Sequence, residues 1–220
     1  MLFRSMPSKK ELCRNWKLYV ITCPSPSGGR SQAERVREAV LGGAEAVQLR
    51  DKNASGEALL HQARELLAVT RPMGMPLIIN DRVAVAKACD ADGVHLGQDD
   101  GSLADAMNIL GPDKIYGRST HTPEQRDAAE EEGFDYIGVG PVFATPTKPG
   151  RRAVGLDYVR YAASHPELPF VAIGGIDETN IREVLRAGAT QVAVVRAVLA
   201  QADPKRAAEN LKKYMKGSEQ

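Results

Sequence analysis

"LYVITCPSPSGGRSQAERVREAVLGGAEAVQLR", residues 18–50, contains a whole strand, crossover and strand. It opens on one apolar run, LYVITC, and closes on another, AVQLR. Between them, SQAERVREAVLGG places apolar residues three and four apart among Glu and Arg, the spacing of an amphipathic helix. Such a unit makes a right-handed crossover and a parallel strand pair. The loop after the first strand decides which parallel sheet this is. TCPSPSGGR, residues 22–30, has no G-x-G-x-x-G, the phosphate-binding turn that a doubly wound dinucleotide fold carries there.

Six further strand candidates follow: PLIIN, GVHLG, KIYG, YIGVG, FVAIGG and QVAVV. Amphipathic stretches such as ASGEALLHQARELLAVT separate them. Four helix-to-strand junctions, GGAEAVQL, CDADGVHL, EGFDYIGV and AGATQVAV, form a weak repeat in which glycine is expected to stop each helix in the left-handed region. Eight strand–helix units in 220 residues predict an α/β fold, a single-domain (β/α)8 TIM barrel over residues 1–220. Residues 1–15 are expected to be an N-terminal extension, a candidate for flexibility.

Composition excludes several classes. Lys and Arg number 29 against 28 Asp and Glu, a net charge of +1, so no basic surplus points to nucleic acid and any anion site is local. The first ten residues, MLFRSMPSKK, lack an apolar export core, and no segment approaches about 18 consecutive apolar residues. A cytoplasmic protein with no membrane partner is expected. Three scattered cysteines, Cys13, Cys23 and Cys89, have no metal-type spacing and suit a reducing compartment. Nothing in the chain decides its oligomeric state, a homo-oligomer being among the states it allows.

In a barrel the chemistry lies where strands end. In VQLRDKNASGE, Gln48, Arg50 and Lys52 recur at period two and are expected to face the barrel mouth, while Val47 and Leu49 face the helices. Two cations converging there call for an anionic ligand, or else for a barrel carboxylate to pair with. Strands three and four end in IINDR and HLGQDD, so Asn80, Asp81, Gln98, Asp99 and Asp100 form an oxygen-rich cluster suited to Mg2+ held with substrate phosphate oxygens. The alternative is that Asp81, and Asp99 or Asp100, only cap the following helices. Strand five ends in YGRSTHT, offering Ser119 as a donor and His121 as a base, with no third group spaced to orient that histidine; Thr122 and Pro123 start the next helix. His95 is in phase with Gly97, points inward and reads as a satisfied core histidine. After strand six, VFATPTKPG sets Thr145, Thr147 and Lys148 in a loop stiffened by two prolines. After strands seven and eight, Gly174, Gly175, Val195 and Arg196 are placed to cup a phosphate through backbone N–H groups. Two anionic subsites result, one of them equipped for a diphosphate.

QLRDK, NDR, DGVHLGQDD, GRSTHT, GVGPVFATPTKPG, VAIGGI and VAVVRAV, in this order and over nearly the whole barrel, resemble the thiamine phosphate synthase (thiamine-phosphate pyrophosphorylase) family. The resemblance implies a transferase of thiamine biosynthesis with small phosphorylated substrates. It would couple 4-amino-5-hydroxymethyl-2-methylpyrimidine diphosphate to 4-methyl-5-(2-hydroxyethyl)thiazole phosphate, releasing pyrophosphate by a Mg2+-assisted dissociative step. It assigns Gln48, Arg50, Lys52 and Asn80 to the pyrimidine diphosphate, with Leu49 and Asp51 in the same binding run, and Asp81 and Asp100 to Mg2+. Ser119 matches a pyrimidine contact, Thr145, Pro146 and Thr147 the thiazole phosphate segment, and Lys148 a diphosphate contact; Arg50, Lys52, Ser119 and Lys148 form the implied catalytic group. Gly175, Val195 and Arg196 fall on the thiazole phosphate cup, where Arg196 departs from members that carry Ser. The alternatives are a thiazole tautomerase-like relative, a non-catalytic phosphometabolite-binding barrel and a phosphate-binding isomerase of amino-acid biosynthesis. Retention of Arg50, Lys52, Asp81, Asp100 and Lys148 together favours the synthase.

Overall fold

Eight parallel strands close into a barrel in sequence order, with β1 hydrogen-bonded to β8. The computed structural model describes residues 7–22, 29–145, 150 and 152–216. The strands are β1 (Leu18–Ile21), β2 (Ala46–Leu49), β3 (Leu77–Asn80), β4 (Gly93–Leu96), β5 (Ile115–Thr120), β6 (Tyr136–Val139), β7 (Phe170–Ile173) and β8 (Val192–Val194). Each coincides with an apolar run named above. β5 is longer than KIYG and carries Ser119 within the strand.

The strands are mainly apolar because both faces are covered, with polar residues such as Gln48, Asn80, His95 and Ser119 set among them. One set of alternate residues, including Leu18, Val20, Val47, Leu49, Leu77, Ile79, Val94 and Leu96, packs into the layer between barrel and helices. The other set fills the barrel interior, where Tyr19, Ile78, Ile115, Tyr136 and Val171 form a separate cluster with Trp16 and Cys13. Large inward side chains need small neighbours. Gly117, paired in register with both His95 and Tyr136, supplies the space: a Cβ there would stand 2.3 Å from Tyr136 Cζ and 2.5 Å from His95 Nδ1.

The helices that matter to the site are α1 (Lys9–Arg14), α2 (Gln32–Leu41), α3 (Gly56–Thr70), α4 (Val83–Cys89) and α5 (Leu103–Leu110). Capping boxes, Ser8 with Glu11 and Ser31 with Glu34, start α1 and α2 by satisfying backbone N–H groups that have no partner within the helix. The expected left-handed stops occur at Gly43, Gly133 and Gly188. In CDADGVHL the left-handed residue is instead Asp90, φ 54°, while Gly93 lies on β4, where a Cβ would stand 2.2 Å from the Ile115 carbonyl oxygen. Glycine is required there by strand packing, and Asp is among the few residues that visit the left-handed region; its carboxylate is held by Arg71 at 3.1 Å and Lys114 at 2.6 Å.

The described part of the segment expected to be an N-terminal extension packs against the barrel. Residues 9–14 form α1, Cys13 and Trp16 are buried beneath the barrel, and Gln191 Nε2 donates to the carbonyls of Cys13 (2.5 Å) and Trp16 (3.0 Å). The Trp16 ring lies 5.7 Å from that of Tyr19 and 5.4 Å from that of Tyr136, closing the N-terminal end of the barrel.

Candidate active site

A cavity of about 480 Å³ opens at the C-terminal ends of the strands and brings together Gln48, Ser119, Thr145, Gly175, Val195 and Arg196. These six come from the ends of β2, β5, β6, β7 and β8, the place where barrel chemistry is sited. Its volume is that of a small-molecule site. Pro146, Thr147 and Lys148 lie outside the described residues.

Beside the cavity, the ends of β2, β3 and β4 build a charged cluster. Lys52 Nζ lies 3.2 Å from Asp81 Oδ2. Asp81 sits at φ 61°, a conformation few non-glycine residues adopt, and its N–H donates to the His95 carbonyl at 2.9 Å. Asp100 Oδ2 accepts from the Gly97 N–H at 2.8 Å; a Cβ at Gly97 would stand 2.5 Å from that same oxygen. Neither carboxylate caps a helix: Arg82 occupies the cap of α4 without a side-chain bond, and Ser102 caps α5. The capping alternative is therefore removed for both. Burial, then the neighbouring Asp100, holds the Asp81 carboxyl above its ordinary range. Asp100 goes the other way: burial pulls it up, but the hydrogen bond from Asp81, the Gly97 N–H and the Lys52 charge outweigh that pull. The two neighbouring carboxyls are thus shifted in opposite directions, Asp81 up and Asp100 down.

Among the described residues no group of three or more His, Cys, Asp or Glu is placed to hold a metal ion. A cation here would take two carboxylates from the described chain and complete its shell with phosphate oxygens and water. That all-oxygen, partly open arrangement suits Mg2+.

The other residues of β2 divide. The Arg50 N–H donates to Thr22 Oγ1 at 2.9 Å, and among the described residues no carboxylate lies within ion-pair distance of its guanidinium. Leu49 is fully buried in the outer layer, so only its backbone can reach a ligand. Asp51 braces its own loop: Oδ1 accepts from the N–H groups of Asn53 and Ala54, and Oδ2 accepts from Gln62 Nε2 at 3.3 Å. Asn80 is half-buried and pairs in register with His95. Lys52 is exposed and beyond the end of β2, so it reaches Asp81 from a loop and not through strand alternation.

The two neighbouring glycines after β7 serve the loop after β6. Val142 N–H donates to the Ile173 carbonyl (2.8 Å) and Phe143 N–H to that of Gly174 (3.0 Å). Both glycines have positive φ, 104° and 65°, and a Cβ would stand 2.5 Å from Pro141 Cα at Gly174 and 2.8 Å from the Ala144 carbonyl oxygen at Gly175. The Arg196 side chain is exposed and opens a single-turn helix, Arg196–Leu199, whose first carbonyl accepts from Gln201 Nε2 at 3.1 Å.

His121 has an orienting group that spacing alone did not reveal, since its Nδ1 contacts the Gly140 carbonyl. Gln98, expected in the oxygen-rich cluster, donates its Nε2 to the Ser119 carbonyl at 2.6 Å, and two residues, Tyr19 and Tyr136, escaped the sequence reading as parts of the site. The tyrosines look like core aromatics in a sequence. Only the barrel register brings their hydroxyls together beneath the cavity.

A closed (β/α)8 barrel with a cavity at its strand ends lined by Gly174 and Gly175, and a lysine–carboxylate cluster after β2–β4, defines a small-molecule-binding barrel class. The family model for thiamine monophosphate synthase matches residues 18–198, and the chain belongs to that family. It is 51% identical over 188 residues to the thiamine-phosphate synthase of Thermosynechococcus vestitus, covering 86% of this chain and 52% of that protein. It is 48% identical over 199 residues to the thiamine-phosphate synthase of Chloroflexus aurantiacus, covering 90% of this chain and 92% of that one. The chain thus spans about half the length of the Thermosynechococcus relative and nearly all of the Chloroflexus one. Among solved structures, the thiamine phosphate pyrophosphorylase of Pyrococcus furiosus superposes with a TM-score of 0.85 at 39% identity, covering 95% of this chain and all of that one.

Proposed function

We propose that this chain couples 4-amino-5-hydroxymethyl-2-methylpyrimidine diphosphate with 4-methyl-5-(2-hydroxyethyl)thiazole phosphate to give thiamine phosphate and pyrophosphate. The observation that carries this reading is the convergence of Lys52, Asp81 and Asp100 next to His95, which lines a cavity together with Gln48 and Ser119. The cluster suits a diphosphate leaving group, because charge that develops on departing oxygens is best met by fixed cations.

In this reading Gln48, Arg50, Lys52 and Asn80 hold the pyrimidine diphosphate, and Ser119 contacts its ring. Asp81 and Asp100 would hold Mg2+, which would supply positive charge to the diphosphate oxygens. The C–O bond to the diphosphate breaks first, leaving a pyrimidine methyl cation. The thiazole phosphate is held by Thr145 and Thr147 and by the backbone of Gly175, Val195 and Arg196, and it supplies the nucleophile. Lys148 pairs with the diphosphate. Arg196 can serve where relatives carry Ser because its N–H lies in the first turn of a helix and does not depend on the side chain. Binding two reactants side by side in one cavity turns a bimolecular encounter into a local event, so no nucleophilic side chain is required.

Incubating the purified protein with both phosphorylated halves and Mg2+ and reading products by mass spectrometry tests the proposal. Thiamine phosphate and pyrophosphate in equal amounts are expected. A folded sample that forms neither overturns it.

A further inference from the structure

Beneath the cavity, five side chains from five strands form a single file of hydrogen bonds. Gln48 Nε2 donates to Tyr19 Oη at 2.9 Å, Tyr19 Oη meets Tyr136 Oη at 3.0 Å, Tyr136 Oη meets His95 Nδ1 at 3.0 Å, and His95 Nε2 meets Ser119 Oγ at 2.9 Å. Both ends of the file, Gln48 and Ser119, stand on the cavity wall together with Tyr19 and His95, whereas Tyr136 lies behind it and is essentially inaccessible.

Each hydroxyl has one hydrogen to give, and this gives the file a direction. Burial holds both phenols well above their ordinary range, so both keep their hydrogens. Tyr19 already accepts from the Gln48 amide, and its own hydrogen has Tyr136 as acceptor. Tyr136 then passes its hydrogen to His95 Nδ1, which must be the bare nitrogen of the ring. The ring hydrogen therefore sits on Nε2 and goes to Ser119 Oγ. The reverse direction would leave the Tyr19 hydrogen pointing at an amide N–H in a buried site, where an unmade hydrogen bond is costly.

We propose that His95 and Tyr136 are positioning residues that hold the Nε2–H form of His95 and so turn the Ser119 hydroxyl hydrogen into the cavity, as a donor to an acceptor such as a heteroaromatic ring nitrogen. With its Nε2 committed to Tyr19, Gln48 presents its amide oxygen as an acceptor at the other end of the file. A ligand with one acceptor and one donor, as an aminopyrimidine has, matches those two ends. The identity of that ligand rests on the coupling reaction proposed above; the direction of the file does not. Gly117 makes the arrangement possible, since any side chain there would occupy the space of Tyr136 and His95.

Nitrogen-15 NMR of histidine-labelled protein at pH 7.5, with His95 assigned through a His95→Asn variant, reads the ring form directly. His95 is expected as neutral Nε2–H; finding Nδ1–H or a doubly protonated ring overturns the proposal. Tyr136→Phe removes the donor to Nδ1, and the expected result is a mixture of both neutral forms. Tyr19→Phe leaves the Tyr136 hydrogen only His95 as acceptor, so the Nε2–H form is expected to persist. Equal behaviour of the two variants overturns the directional argument. In the coupling assay, Tyr136→Phe is expected to raise KM for the pyrimidine diphosphate about tenfold, as a misdirected polar contact does. Absence of coupling in every variant counts against the proposed reaction, while the ring form still reports on the file.

Discussion

The Lys52 ammonium lies 3.2 Å from the Asp81 carboxylate, although Lys52 is on the loop after β2 and Asp81 is at the end of β3. Lys52 is more than half exposed, so the pair adds little to stability. Its importance is local: it sets a cation against two neighbouring carboxyls shifted in opposite directions, one of them in a backbone conformation that disfavours most residues.

Asp81→Asn separates stability from activity. Because the folded protein holds the Asp81 carboxyl above its ordinary range, the native state binds that proton more tightly than the unfolded chain does. The resulting cost is absent at low pH, grows as pH rises past the unfolded value, and is complete above the folded one. Asn carries no such cost and tolerates positive φ at least as well. Thermal melts without Mg2+ are expected to show the variant at least as stable as the parent at pH 7, with its advantage shrinking toward pH 4. Turnover falls in the same variant.

Asp100→Asn is expected to raise the Mg2+ concentration needed for half-maximal turnover and to slow the reaction by about tenfold or more, as loss of a metal ligand does. Steady-state rates over a Mg2+ titration check this. An unchanged requirement would remove Asp100 from the metal site.

Gly117→Ala inserts a methyl 2.3 Å from the Tyr136 ring and 2.5 Å from the His95 ring. Neither ring can withdraw, since the former packs on Trp16 and the latter is bonded at both nitrogens. A loss of about 2–3 kcal/mol in urea unfolding is expected. A loss below about 0.5 kcal/mol would mean that the interior has slack.

Trp16→Ala empties the space between α1 and the two tyrosine rings. Trp16 is 2% exposed, and truncation of a buried Trp costs about 3–5 kcal/mol. Equilibrium unfolding measures it, and a near-neutral result would show that α1 does not seal the barrel.

The barrel was legible because buried parallel strands leave an unmistakable mark: eight apolar runs, each too short for a helix, spaced by amphipathic segments. The carboxylates and Lys52 were legible from their position at strand ends, although the period-two argument for Lys52 ran past the end of β2 and the lysine arrives by a loop. What escaped detection depends on register. Tyr19 and Tyr136 are distant in sequence and look like ordinary core residues, and Gly117 reads only as the end of the strand candidate KIYG until its neighbours across β4 and β6 are known. Asp90 escaped for a different reason: a glycine three residues later carried the expected signature but serves strand packing instead.

Trp16, Cys13 and Gln191 leave the barrel sealed at the end opposite the cavity. The cavity is therefore a blind cup, with Tyr19 in its wall and its opening among the loops at the C-terminal ends of the strands. A two-substrate reaction in such a cup has a queue built into it. In the two-substrate reaction proposed above, the reactant that sits deeper is expected to enter first and products to leave in the order set by depth. Product-inhibition kinetics check this: an ordered pattern is expected, and random-order binding would show that the closed floor of the barrel imposes no queue.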